Sequence, residues 1–270
     1  RYQLPRWKSP PAIYGVLGNP VAHSLSPLIH NQLFQHHQLE KIYLPFLLDD
    51  AEIWLDHVKQ SPLPFSGFSV TLPFKTDVVK FVDHKESPVD SVNTLVKKDA
   101  VWEGRNTDYH GFLKALQSRL TLKGKTALVL GNGGVAHTVV KALMDQGVEV
   151  TVVGRDPDKV AHFSQWYGCR NILFSDLPVP AQICVNTTPI GQYPEIQASP
   201  LKPDQMGFEV VYDLVYSPEN TRLLDLARSQ GAEIISGMEM FVEQATLQFE
   251  AWTELSADRE MVREMIRGNS

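Results

Sequence analysis

The chain has 270 residues, 43% hydrophobic and 21% charged, which excludes global disorder and, at about 100–200 residues per domain, allows one large domain or two modest ones. Its 25 Lys+Arg against 31 Asp+Glu leave a formal charge of −6, the wrong sign for a general nucleic-acid binder. No apolar run reaches the roughly 18 residues of a membrane helix, and Cys169 and Cys184 are too few for a disulfide framework or a four-cysteine metal site. Free thiols fit a reducing, cytoplasmic compartment.

The opening RYQLPRWKSPPA carries no apolar signal-peptide core. It reads as an irregular leader or as the tail of a linker from another module. Ile13–Leu17 is a short apolar run ended by Gly18-Asn19-Pro20, a buried strand and then a turn. Pro27 opens an expected helix through LIHNQLFQHH, with Ser24 or Ser26 as its cap and His36-His37 at its exposed end. Tyr43–Leu48 is a second strand, Ala51 to about Lys59 a helix, and 66–72 a strand running into Pro73. Asp90–Val96 and Val101–Gly104 look like paired extended pieces. Alternation of strand and helix is α/β grammar.

The pattern then restarts. Residues 126–131 (TALVLG) form a strand, a helix runs to Gln146 and stops at Gly147, and Val148–Val153 is the next strand. Pro157 opens another helix, Ala181–Thr187 and Glu209–Leu214 are further strands, and two helices, 239–252 and ADREMVREMIR, close the chain. Strand, helix and strand at this spacing make a parallel βαβ unit with more units appended.

Four groups of residues carry chemistry. Gly131-Asn132-Gly133-Gly134-Val135-Ala136 has the form G-x-G-x-x-A between a predicted strand and a predicted helix, the context a dinucleotide-binding turn requires. The glycines permit the turn and the approach of a pyrophosphate, and the helix N-terminus offers free N–H groups. At the end of the next strand, where NAD enzymes place an acid, stand Gly154 and Arg155. An arginine fork suits a 2′-phosphate, so the cofactor expected is NADP(H). Asp156 would repel that phosphate if it pointed inward; its other role is to cap the helix at Pro157. Lys159 either adds positive charge or is simply solvated.

The remaining three groups lie in the first half. His23-Ser24-Leu25-Ser26-Pro27 places two hydroxyls beside a helix start. Thr71-Leu72-Pro73-Phe74-Lys75 puts a lysine just past a strand end. Asn106-Thr107-Asp108, preceded by Asp90-Ser91-Val92-Asn93-Thr94, gathers short polar side chains suited to a polyhydroxylated ligand, with Asp108 a candidate partner for Lys75. Taken singly these also read as a helix cap, a surface lysine and polar turns. There is no H-E-x-x-H, no convincing metal spacing among the nine histidines and no G-x-S-x-G elbow, so metal hydrolysis and serine-type acyl transfer fall away.

From about Tyr14 to Trp252 the sequence resembles the shikimate dehydrogenases. The motifs are GNPVAHSLSP (18–27), SVTLPFK (69–75), SVNTL (91–95), GRNTD (104–108), GNGGVA (131–136), NTTPIG (186–191), YDLVYSPENTRLL (212–224) and GMEMFVEQA (237–245). The resemblance implies NADPH-linked reduction of 3-dehydroshikimate to shikimate in aromatic amino-acid biosynthesis. It implies an α/β substrate domain of residues 1–108 and 238–270, a Rossmann-type NADP domain of 109–237, and an active site in the cleft between them. Ser24 and Ser26 would bind the substrate carboxylate. Thr71, Asn93, Asp108 and Gln244 would bind its hydroxyls and reacting oxygen, with Tyr216 at the border. Lys75 and Asp108 would be the catalytic pair. Gly131, Asn132, Gly133, Gly134, Val135 and Ala136 would form the diphosphate turn. Gly154, Arg155, Lys159, Thr187, Thr188, Pro189, Val215, Gly237 and Met240 would complete the cofactor site, with Met238 also near the nicotinamide.

Departures from the family pattern are Ser69, where Asn is usual, Asn132, where Ala is usual, and Gly154-Arg155-Asp156 in place of N-R-T. The first implies one substrate hydrogen bond weakened or replaced. A quinate/shikimate enzyme preferring NAD, supported by Asp156, is the alternative dehydrogenase. A ligand-sensing relative without turnover is the non-enzyme alternative. The partner is a small molecule, without nucleic acid or membrane, on a monomer or homodimer. Fused enzymes of the pathway suggest an upstream dehydroquinate dehydratase module ending in the leader.

Overall fold

A computed structural model describes residues 10–268; most of the leader, residues 1–9, lies outside the described residues. The chain divides into two compact units, 1–107 with 244–269, and 108–243.

In the first unit, β1 (Ala12–Gly18) is followed by α1 (Ser26–His36), β2 (Lys41–Leu47), α2 (Ala51–Gln60) and β3 (Phe65–Val70). β4 (His84–Glu86), β5 (Thr94–Lys98) and β6 (Val101–Arg105) complete a six-stranded sheet of order β2-β1-β3-β5-β6-β4. β1 runs parallel to β2 and β3, whereas β5 is antiparallel to both β3 and β6. The starts of β5 and the ends of β1, β3 and β6 therefore share one end of the sheet: Ser69 pairs with Thr94, and Thr94 with Arg105. Below the sheet, Leu17, Leu55, Phe68, Leu95 and Trp102 are at most 2% exposed and belong to one cluster.

In the second unit, α3 (Thr107–Gln117) leads into β7 (Thr126–Leu130), α4 (Gly134–Asp145), β8 (Glu149–Gly154), α5 (Pro157–Tyr167) and β9 (Arg170–Leu173). β10 (Ile183–Asn186), β11 (Val210–Asp213), α6 (Arg222–Ser229) and β12 (Glu233–Ser236) follow. The six strands pair in parallel in the order β12-β11-β10-β7-β8-β9. Helices cover such a sheet, which is why the apolar residues of β7 (ALVL) and β10 (ICV) are continuous and do not alternate with polar ones. α7 (Gly237–Thr253) carries the chain from this unit back to the first, where α8 (Arg259–Arg267) ends it.

The structure corrects several local expectations. The extended pair begins at Thr94, not Asp90, and extends to Arg105. β4, β9 and β12 are three or four residues long, too short to show a periodicity. α3 opens inside the polar cluster Asn106-Thr107-Asp108, which conceals it. Neither Ser24 nor Ser26 is the cap of α1: Leu25 holds that position, Ser26 is already helical, and the Ser24 hydroxyl accepts the Ser26 N–H at 3.2 Å. His36 is exposed as expected, whereas His37 is half-buried, its ring centroid 5.1 Å from that of Phe249.

Candidate functional site

The polar residues of the first unit gather at one end of its sheet. Ser24 and Ser26 follow β1, Thr71 and Lys75 follow β3, Asn93 precedes β5, and Thr107 follows β6, with Asp108 next in the chain. Close packing of backbones holds these turns. A Cβ on Gly18 would lie 2.3 Å from Thr71 Cγ2, so only glycine permits that approach. Asn19 N–H donates to Leu72 O at 3.0 Å, and Val92 N–H to Lys75 O at 2.7 Å. The lysine turn is thereby tied to the turns before and after it. Lys75 is half-buried and Asp108 is buried in the first turn of α3, where a helix N-terminus favours an anion.

Asn93 is 2% exposed. Its Oδ1 accepts the Thr107 N–H and the Thr94 hydroxyl, each at 2.8 Å, and its Nδ2 donates to Thr107 Oγ1 at 3.0 Å. Asn106 Nδ2 donates to Ser91 Oγ at 2.9 Å, so the two short polar motifs that straddle the β5–β6 hairpin brace one another. Ser69, at the departure from the family pattern, is not aimed at a ligand. Its hydroxyl accepts from Tyr43 at 2.6 Å and donates to Gln248 at 2.8 Å. Gln244 stands one turn before Gln248 on α7.

In the second unit, the glycine turn, Gly154–Lys159, Thr187–Pro189, Val215–Tyr216 and Gly237–Met240 all follow the carboxyl ends of parallel strands. The chain leaves β7 for β8 and β9 on one side and returns to β10 on the other, so β7 and β10 flank the switch point where such sheets bind ligands. Gly131 has φ +108°, and a Cβ there would lie 2.6 Å from Thr187 Oγ1. Thr187 in turn donates that hydroxyl to Leu130 O at 2.8 Å. Ala136 is fully buried against the sheet.

The turn fits a dinucleotide phosphate on its own geometry. Cβ atoms built on Gly133 or Gly134 would meet nothing within 4 Å, Gly133 offers α4 no side-chain cap, and the buried Asn132 Nδ2 has no hydrogen-bond partner among the described residues. A helix N-terminus without a side-chain cap and with open space beside it matches an anionic ligand.

Asp156 caps α5. Its Oδ1 accepts the N–H groups of Asp158 at 3.0 Å and Lys159 at 3.3 Å, while Lys159 Nζ lies 3.9 Å from Oδ2. Its carboxylate caps a helix terminus, one of the two roles the sequence allows it. Arg155 is exposed beside it. Tyr216 stacks on Phe241 with centroids 4.8 Å apart, and Met238 and Met240 are buried. A Cβ on Gly237 would lie 2.4 Å from Leu214 O, so the start of α7 can sit against the β11 loop only without a side chain.

One feature of this unit was not foreseen in the sequence. The buried Asp213 accepts from Asn186 Nδ2 at 2.9 Å, Val215 N–H at 3.1 Å and the Thr221 hydroxyl at 2.6 Å. Burial raises its pKa, with these three bonds opposing. Asn186 Oδ1 also accepts the Thr188 N–H and hydroxyl. One carboxylate thus ties together the loops that carry Thr188 and Val215.

The second unit is therefore of the dinucleotide-binding α/β class. Residues 16–95 match the family described as shikimate dehydrogenase substrate binding domain. Residues 114–184 match shikimate / quinate 5-dehydrogenase, and 237–267 the shikimate 5'-dehydrogenase C-terminal domain. A curated relative from Gloeothece citriformis, shikimate dehydrogenase (NADP(+)), is 36% identical over 276 residues, covering 94% of this chain and 95% of its own. The crystal structure of shikimate 5-dehydrogenase from Thermus thermophilus in complex with NADP(H) and shikimate matches with TM-score 0.85 and 33% identity, over 96% of this chain and 100% of that one. A chorismate mutase/shikimate 5-dehydrogenase fusion protein from Clostridium acetobutylicum matches with TM-score 0.86 and 32% identity, over 96% of this chain and 97% of that one. This chain belongs to the shikimate dehydrogenase family.

Proposed function

We propose that the chain catalyses the reversible, NADPH-linked reduction of 3-dehydroshikimate to shikimate. The observation that carries this reading is the gathering of Ser24, Ser26, Thr71, Lys75, Asn93 and Thr107 at one end of the first sheet, in a chain that also holds the glycine turn. The first unit, with residues 1–108 and 238–270 as its functional extent, binds substrate. Residues 109–237 bind NADP(H).

Bound NADPH supplies the hydride that reduces the ketone carbon. Ser24 and Ser26 bind the substrate carboxylate, and Thr71, Asn93 and Gln244 bind its hydroxyls, with Tyr216 at their border. Lys75 stabilises the negative charge that develops on the ketone oxygen and passes a proton to it. Asp108 holds the lysine and the neighbouring hydroxyl. Gly131 to Ala136 hold the diphosphate, Arg155 the 2′-phosphate with Lys159 nearby, and Thr187 to Pro189, Val215, Gly237 and Met240 the nicotinamide half. Loss of NADPH absorbance on adding 3-dehydroshikimate tests the reading, with NADH and quinate as parallel arms. Ligand binding without NADPH oxidation would establish a sensing protein, and faster turnover with NADH would overturn the cofactor assignment.

A further inference from the structure

Gln248 is 2% exposed on α7, one turn beyond Gln244 and one turn before Trp252. Its Nε2 lies 3.2 Å from the backbone oxygen of Asn93 and 3.1 Å from Thr94 Oγ1. A peptide carbonyl can only accept, so the amide must turn its NH₂ end to Asn93 and its oxygen to Ser69. That choice propagates in both directions. Ser69 must donate to Gln248 Oε1, at 2.8 Å, and must therefore accept from Tyr43, at 2.6 Å. The hydroxyl hydrogen of Ser69 is then spent on Gln248, and none is left to donate to a ligand. On the other side, Thr94 accepts from Gln248 and so spends its own hydrogen on Asn93 Oδ1, at 2.8 Å. Thr107 N–H donates to that same oxygen. The Asn93 amide is thereby fixed with its NH₂ group facing away from these donors. One of its hydrogens goes to Thr107 Oγ1, and the other has no partner among the described residues.

We propose that Gln248 is a positioning residue for substrate recognition, holding Asn93 so that one amide hydrogen is reserved for an oxygen of the bound polyol acid. The amide that the family pattern places at position 69 is, in this chain, supplied from behind the sheet by Gln248 acting through Thr94 and Asn93. The proposal deepens the substrate assignment of Asn93 and rests on it. Trp252 supports the same docking: its indole N–H donates to Leu95 O at 2.9 Å, over a glycine, Gly67, whose Cβ would lie 2.5 Å from that nitrogen. The helix is thus pinned to β5 at two successive turns, which leaves Gln248 little freedom to find other partners.

The experiment compares wild type with Gln248→Glu, Thr94→Val and Asn93→Ala in shikimate oxidation by NADP⁺, with calorimetric titration of shikimate alongside. Gln248→Glu keeps the shape and the acceptor but removes both donors. Thr94→Val is nearly isosteric and breaks only the relay. Each should raise KM and Kd for shikimate about 5- to 100-fold, the effect of one or two lost buried hydrogen bonds. KM for NADP⁺ should stay within about twofold, and kcat should fall far less than KM rises. The double variant should fall short of the product of the single effects, because both act through Asn93. If Asn93→Ala leaves shikimate binding unchanged, the substrate assignment of Asn93 fails and the proposal with it. If Asn93→Ala weakens binding while Gln248→Glu and Thr94→Val do not, the positioning role alone is overturned. Equal rises in KM for shikimate and NADP⁺ would reduce Gln248 to a general structural residue and also overturn it.

Discussion

At the scale of single residues, Lys75 and His30 show two uses of a basic side chain. Lys75 sits in a turn held by backbone hydrogen bonds at Thr71 and Val92, so the fold of the turn does not depend on the ammonium. Lys75→Ala should therefore fold and bind, yet lose about 10²–10⁴ in kcat, the range of general acid–base assistance. A rise in KM with kcat unchanged would make it a binding residue only. His30 is the opposite case. It is fully buried and stacks on Tyr43 with centroids 4.7 Å apart. Burial pulls its pKa down to about 3, against the opposing pull of the Gln248 side chain. The unfolded chain takes up this proton below about pH 6.5 while the folded protein refuses it until about pH 3. Stability is therefore lost as pH falls through that window, by about 2 kcal/mol at about pH 5. Urea midpoints for wild type and His30→Phe, compared between about pH 7 and 5, isolate this contribution, since the other histidines are common to both. Parallel pH dependence in the two proteins would show that His30 is not its source.

At the scale of elements, the long strands and helices were legible because burial on both faces or along one stripe writes itself into the residue order. ALVL is apolar throughout and VTVV is broken only by Thr151, and Gly147 and Pro157 mark a stop and a start. The short elements were not legible: EIIS becomes β12 only because β11 offers it a parallel partner. The motifs of the proposed site were legible, but the side chains that hold them in place were not. Gln248 acts through Thr94, Asn93 and Ser69, 154 to 179 positions away, and Asp213 through Asn186, 27 positions away, separations no local pattern encodes. Thr221, nearer in the chain, is tied to the same carboxylate. It caps α6 through the Leu224 N–H at 3.3 Å and donates to Asp213 at 2.6 Å. Thr221→Val should cost about 1–3 kcal/mol, a cap plus a charge-assisted bond. Because Asp213 also holds the Asn186 and Val215 loops, KM for NADPH should rise while KM for 3-dehydroshikimate stays near wild type. Urea melts and the two KM values measure this, and a rise in the second KM alone would refute the assignment of these loops to the cofactor.

At the scale of the whole molecule, a formal charge of −6 surrounds a reaction whose substrate and cofactor are both anions. The general field opposes both ligands, so attraction must come from local cations. Arg155 is exposed, and its neighbour Asp156 has its carboxylate engaged by the N-terminus of α5. An exposed ion pair is screened by salt, since the Debye length falls from about 10 Å at 0.1 M to about 3 Å at 1 M. The diffuse repulsion from the net charge is screened too, but it acts alike on NADPH and NADH apart from the extra phosphate. On the proposed assignment of Arg155 to the 2′-phosphate, their attraction should outweigh that repulsion near contact, because it acts over the shortest distance. Raising salt should therefore increase KM for NADPH more than KM for NADH, and so reduce the preference between them. Arg155→Ala should reduce the same preference at low salt by about tenfold or more, as loss of a charge-assisted bond requires, and should flatten its salt dependence. Asp156→Asn, which keeps a good cap but no charge, should change the preference far less. If Asp156→Asn shifted it as strongly as Arg155→Ala, the carboxylate would be acting on the 2′-phosphate despite its place on the helix, and helix capping would no longer account for NADP selection beside an acidic residue.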